Sequence, residues 1–193
     1  MRNDEFKIIS ATTILIILNV LMFLFETLFL GGSTADNFVT QNLTMYTPYV
    51  LEGQVWRMFT SMFLHFGAAH IVMNMIALYN IGYFLEGYAG TIKYTIIYLL
   101  GGIFGNVAVI IADMITSSPA YGAGASGAIF AVLGAILAVA IKDRNSGLSI
   151  TNILSSTFFA LAPGFFIQGI SLSAHIGGLV GGFLLALLLV RRR

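Results

Sequence analysis

The chain has 193 residues, of which 58% are hydrophobic and 9% charged, and its formal net charge is +1. A soluble domain is about one quarter charged, so these side chains cannot cover a globular surface in water, and lipid is the expected solvent. A charge this small, with no basic patch, argues against nucleic acid as a partner, and the lack of cysteine excludes disulfides, thiolate metal sites and a cysteine nucleophile.

In chain order the apolar stretches read as six spans. The first covers about residues 8–30. The residues before it mix Arg2 and Lys7 with Asp4 and Glu5. The apolar run also exceeds the core of a signal peptide, about 7–15 residues, so it is expected to span the bilayer and to be retained. A polar segment follows, 31–66, with Asp36, Asn37, Gln41, Asn42, Pro48, Glu52 and Arg57 among Phe38, Tyr46, Tyr49, Trp56 and Phe59. A loop this long and this aromatic is expected to pack as a structured unit at the membrane interface. Gly67 interrupts the pattern. The remaining spans are predicted at about 68–88, 91–113, 126–142, 149–170 and 173–190. They use up the chain, so the expectation is one all-α polytopic domain over 1–193, with no seventh span or added domain.

Basic residues orient the spans, because Lys and Arg favour cytoplasmic loops. With the N-terminus inside, Arg2, Lys7, Lys93, Lys142, Arg144 and Arg191 to Arg193 all fall inside, and of the nine basic residues only Arg57 falls outside. Both termini are therefore expected in the cytoplasm.

Polar side chains within spans need a reason, since burying them in lipid is unfavourable. Ser126, His65, His70, His175 and Asn74 stand out. Spans two, four and six all run from outside to inside on this topology. His70 lies about two residues into span two, Ser126 opens span four, and His175 lies about two residues into span six. At about 1.5 Å per residue the three share one shallow depth. Asn74 follows His70 by four residues, so it lies on the same helix face one turn deeper.

These residue types suit acyl transfer, which needs a nucleophile, a base within reach, and donors for a tetrahedral oxyanion. Ser126 fits the nucleophile and His175 the general base. Asn74 and His70 can donate N–H groups, and the N-terminus of span four adds backbone amides and a favourable dipole. No carboxylate lies at this depth to orient His175, so a Ser–His dyad is expected and not a triad. Glycines on span six (Gly177, Gly178, Gly181, Gly182) and around span four (Gly122, Gly124, Gly127, Gly134) would let the two helices approach closely enough. Gly101, Gly102 and Gly105 on span three read as packing.

The sequence resembles the rhomboid intramembrane serine proteases, of the minimal six-span bacterial type. Trp56-Arg57-Met58-Phe59-Thr60 resembles the Trp-Arg-x-x-Thr stretch of the family's first outer loop. His65, His70 and Asn74 match its span-two histidines and asparagine, and Gly82 to Glu86 its Gly-x-x-x-Glu. Gly124-Ala125-Ser126-Gly127 matches its Gly-x-Ser-Gly, and Ala174-His175 with Gly178 and Gly182 its span-six motif. The resemblance implies a multi-pass protein of a bacterial plasma membrane that hydrolyses peptide bonds in or beside the transmembrane helices of other proteins. Ser126 would attack and His175 would act as base. His70, Asn74 and the Ser126 backbone amide would hold the oxyanion. No cofactor or metal is implied. By region only, Phe158, Phe159, Phe165 and Phe166 correspond to the family's substrate gate. Phe130 stands where some members have a tyrosine packed on the catalytic histidine.

Other residues read as scaffold. Trp56 and Arg57 read as structural or interfacial, His65 reads equally as a site residue or as a fastener of the outer loop, Glu86 reads as an interhelix hydrogen-bond partner, and Glu26 and Asp113 can snorkel at outer span ends. Two other functions compete: a catalytically inactive rhomboid-like binder of transmembrane segments, and a channel or metal transporter using His65, His70 and His175.

Overall fold

A computed structural model describes residues 10–31, 37–166 and 169–191. Arg2, Asp4, Glu5, Lys7, Asp36, Arg192 and Arg193, used in the reading above, lie outside the described residues. Helix α1 is Ala11–Phe29, and Ser10 caps it by accepting from the Thr13 amide. Three short helices follow, α2 (Phe38–Asn42), α3 (Thr47–Leu51) and α4 (Arg57–Thr60). Then come α5 (Ala68–Ala89) and α6 (Thr91–Thr116), separated by Gly90 alone, whose φ of +87° reverses the chain without side-chain strain. Helices α7 (Ser126–Lys142), α8 (Ile150–Leu161) and α9 (Leu172–Leu189) complete the chain. Ser149 and Ser171 cap α8 and α9 through their hydroxyls.

Among the described residues, α1, α5, α6 and α9 are long and apolar enough to cross a membrane, whereas α7 and the run 150–165 are shorter apolar helices. Two boundaries differ from the sequence reading. Helix α6 continues three residues beyond 113. The fifth segment leaves α-geometry at Leu161 and passes through a 3₁₀ turn at Ala162–Phe165, because Pro163 has no N–H to continue the α-helical ladder and its ring crowds the turn before it.

The core is the contact of α6, α7 and α9. Twelve of the 17 residues of α7 are buried, so its apolar surface faces protein on nearly every side. Small residues set the spacing. A Cβ added at Gly178 would overlap the Gly127 carbonyl, and one at Gly182 the Ala131 carbonyl. A Cβ at Gly105 on α6 would lie 2.8 Å from the Ala174 carbonyl. At the far end of α7 from Ser126, Lys142 Nζ donates to the carbonyls of Leu187 (2.7 Å) and Val190 (2.6 Å). A cation there satisfies the C-terminal carbonyls of α9.

Glu86, expected to bridge helices, does so. Its carboxylate accepts from the Ala11 amide (2.8 Å), the Thr12 amide (2.9 Å), the Thr12 hydroxyl (2.7 Å) and the Thr91 hydroxyl (2.9 Å). One buried side chain thus caps α1 and joins it to α5 and α6. Glu86→Ala leaves those donors unsatisfied, and the expected loss is about 3 kcal/mol of stability, measurable as a lowered thermal unfolding midpoint in detergent.

The segment between α1 and α5 is held by its own side chains. The successive carbonyls of residues 41–44 each accept from residues 56–60. Arg57 Nη2 donates to Gln41, Trp56 Nε1 to Asn42 (3.1 Å), Thr60 Oγ1 to Leu43 (2.6 Å) and Arg57 Nη1 to Thr44 (2.9 Å). Arg57 is fully buried, so its role is structural. Asn106 of α6 fastens the segment to the bundle by donating to the Met58 carbonyl (2.6 Å) and the Ser61 hydroxyl (3.2 Å). Asp113 accepts from the Thr47 hydroxyl. Glu26 does not snorkel: it is 1% exposed, facing the bundle.

Candidate active site

Ser126 is the first residue of α7, and the loop before it is fixed from two sides. Gly122 and Met45 exchange backbone hydrogen bonds of 2.8 Å in both directions, and the Tyr121 ring stacks on Tyr46 at 4.4 Å. The Gly124 amide then donates to the Ser61 carbonyl at 2.9 Å. Gly124 adopts φ +132°, and a Cβ there would lie 2.8 Å from His70 Nε2 and 3.6 Å from Asn74 Nδ2. Glycine is needed twice over, for the backbone conformation and for the approach of two α5 side chains.

His175 lies in the first turns of α9, and its amide donates to the Ser171 carbonyl at 3.2 Å. Its Nε2 is 3.0 Å from Ser126 Oγ. Its ring stacks on Phe130, with centroids 4.3 Å apart and planes 20° apart. The stack fixes the ring by its faces while the serine meets its edge. His175 Nδ1 and Asn74 Nδ2 are buried and have no hydrogen-bond partner among the described residues.

His65 is 1% exposed and meets the His70 ring edge-on at 5.0 Å. Burial, with a smaller contribution from His70, pushes the His65 imidazole down to about 3, so it is neutral at pH 7. Its backbone amide donates to Glu26 Oε2 at 3.4 Å.

Ser126, His175, His70 and Asn74 therefore converge from three helices on one spot at one end of the bundle. Histidines 65 and 70 also meet, but among the described residues no three His, Asp or Glu side chains gather as a metal-ligand set. Phe158, Phe159, Phe165 and Phe166 are exposed, on or just after α8. Sequence reasoning missed the supporting groups: Gly124 against His70, the Ser61 carbonyl, Asn106 and Glu26. Asn106 and Glu26 carried a usable signal, a polar side chain inside an apolar run. The carbonyl of Ser61 had none.

The site gathers a hydroxyl, an imidazole in hydrogen-bond contact with it, an amide, a second imidazole and a helix N-terminus. That set can carry acyl transfer. Comparison with known proteins agrees on the lineage. The Rhomboid domain matches residues 52–192. The chain is similar to the rhomboid protease GluP of Bacillus subtilis (strain 168), 38% identical over 177 residues, which cover 91% of this chain and 34% of that protein. It is similar to the protein YdcA of Bacillus subtilis (strain 168), 31% identical over 153 residues covering 78% of this chain and 75% of that one. RHOMBOID-like protein 7 of Arabidopsis thaliana is 36% identical over 163 residues, 82% of this chain and 50% of the relative. The chain thus spans about a third of GluP and half of the plant protein. With 141 consecutive residues matching the domain, the chain belongs to the rhomboid family.

Proposed function

We propose that this protein is an intramembrane serine endopeptidase that cleaves the transmembrane helices of other membrane proteins near the outer face. The observation that carries the reading is the 3.0 Å contact between Ser126 Oγ and His175 Nε2, within the range a nucleophile and its base require. The names of the relatives GluP and of the family support the same reaction class. Helices α7 and α8 serve as the fourth and fifth of six spans. With 17 residues, α7 is about 26 Å long, shorter than a hydrocarbon core of about 30 Å. Ser126 then lies a few Å below the surface while Lys142 stays at the opposite face. The Ser126 end faces outward, both termini are cytoplasmic, and the bilayer is a bacterial plasma membrane.

In the mechanism, His175 Nε2 takes the Ser126 proton as Oγ attacks the scissile carbonyl carbon. The carbonyl oxygen becomes an oxyanion. It accepts from Asn74 Nδ2, a His70 ring N–H and the Ser126 amide at the helix N-terminus. As the C–N bond breaks, the His175 imidazolium gives its proton to the departing amine. Water then attacks the acyl-enzyme, with His175 again as base, and releases the acid and free Ser126. His175 acts without a carboxylate partner, as a dyad.

Asn74→Ala tests the oxyanion assignment. The expected result is a fall in kcat of about 10²–10³ with KM for a single-span substrate little changed, read from cleavage in proteoliposomes. An unchanged kcat removes Asn74 from the hole.

A further inference from the structure

We propose that Glu26 is a positioning residue for the oxyanion donor: its buried carboxylate holds the turn carrying His65, and the His65 ring fixes the ring of His70. The inference rests on the assignment of His70 above and extends it to a helix that contributes no group to the reaction.

The observation starts with α1. Its outward face is ordinary lipid-facing surface, with Ile14, Leu18, Leu21 and Phe25 each about half exposed. Its inward face carries three polar residues seven apart, Thr12, Asn19 and Glu26, exposed by 0%, 0% and 1%. Seven residues are nearly two helical turns, so the three share one stripe. Packing alone does not call for them, since an apolar side chain would fill each place without the penalty of burying a polar group. At the inner end of the stripe Glu86 grips Thr12 through both its amide and its hydroxyl. That grip sets the height and rotation of α1. Fourteen residues later, about 21 Å along the axis, the same stripe delivers Glu26 to the turn between the 3₁₀ residues Ser61–Phe63 and α5.

There Glu26 Oε2 accepts from the His65 amide at 3.4 Å. His65 is enclosed, and its ring meets His70 edge-on at 5.0 Å. His70 also lies against Gly124, where even a Cβ would come within 2.8 Å of Nε2. His70 is thus held between the Ser126 loop and a chain of contacts leading to α1. A ring placed by these two contacts cannot keep its donor aimed at one point if one of them withdraws, and misplacing a catalytic group by about 1 Å lowers a rate by about 10²-fold.

The test uses the full chain in detergent and two readouts. One is the second-order rate constant for fluorophosphonate labelling of Ser126, in which Oγ displaces fluoride from phosphorus and the phosphoryl oxygen takes the place of the oxyanion. The other is the ¹⁵N imidazole resonance of His70, identified by its loss in His70→Ala. Glu26→Gln keeps an acceptor and is expected to label within about threefold of wild type. Glu26→Ala is expected to label about tenfold or more slowly and to shift the His70 resonance. Combined with His70→Ala it should add no further loss, since the two act through one group. Should Glu26→Ala not fold, Glu26→Leu, which fills the space without an acceptor, takes its place. Full labelling in the variant without an acceptor, losses that multiply in the double variant, or an unmoved His70 resonance would each overturn the proposal. A wild-type chain that never labels counts against the protease reading, and the resonance still decides the Glu26 contact.

Discussion

Ser126→Ala is expected to abolish the proposed peptide-bond hydrolysis, with kcat falling by about 10³-fold or more, and to leave the thermal unfolding transition within about 0.5 kcal/mol of wild type. The two halves of this result have separate causes. Ser126 Oγ makes a hydrogen bond to His175 Nε2, so its removal eliminates the nucleophile and little else. The residue opens α7, is half-buried, and is not the capping residue of the helix. Alanine is a better helix former than serine, so the backbone amides at the N-terminus of α7 remain in place. His175→Ala is expected to give a kcat loss of similar size, and the double variant no more than either alone, because the pair acts as a unit. That second variant should also lose stability, since the buried ring stacked on Phe130 leaves a cavity. Activity loss without stability loss at Ser126 is the signature that separates a nucleophile from a packing serine.

Gly178→Ala is expected to damage both stability and catalysis, although residue 178 touches no reacting group. The added methyl would overlap the Gly127 carbonyl, which is backbone and cannot rotate away. Either α9 moves off α7 or the contact is strained, at about 1–3 kcal/mol. Gly178 follows His175 by one turn, and Gly127 adjoins Ser126, so the displaced backbone is the one that sets the 3.0 Å dyad distance. A separation of about 1 Å should lower kcat by about 10²-fold, with Ser126 labelling slowed in parallel. Gly147→Ala is a control for substitution of a glycine in itself. It lies in a turn where nothing comes within 4 Å of an added Cβ, and its effect is limited to the strain of its φ of +73°.

Much of this arrangement could be read from the residues, because a lipid environment makes polar side chains conspicuous. Ser126, His70, Asn74 and His175 each interrupt an apolar run, and the alternating direction of the spans places them at one depth before any contact is known. The structure brings all four together. The glycines of α6, α7 and α9 were legible for the same reason, since small residues are what close helix packing in lipid requires. What could not be read depends on which way a helix turns. Glu26 lies near the end of α1, so depth alone suggested a snorkelling carboxylate. Its burial follows from the rotation that Glu86 imposes on Thr12, 75 and 74 residues away in the chain from its two amide partners. The demand for glycine at 124 comes from side chains of α5 and has no local mark. Pro163 lies inside the fifth span predicted at about 149–170, and the α-helix ends just before it, at Leu161.

On the proposed mechanism, Ser126 and His175 together hydrolyse a peptide bond of a membrane-spanning substrate. The direct measurement reconstitutes the full chain with a single-span protein substrate whose helix carries a glycine near its outer end, and identifies the products by intact mass. Wild type should yield two fragments joined at one bond near that outer end, and Ser126→Ala and His175→Ala should yield none. Cleavage that survives in both variants, or a wild type that neither cleaves nor labels at Ser126 while remaining folded, contradicts the account.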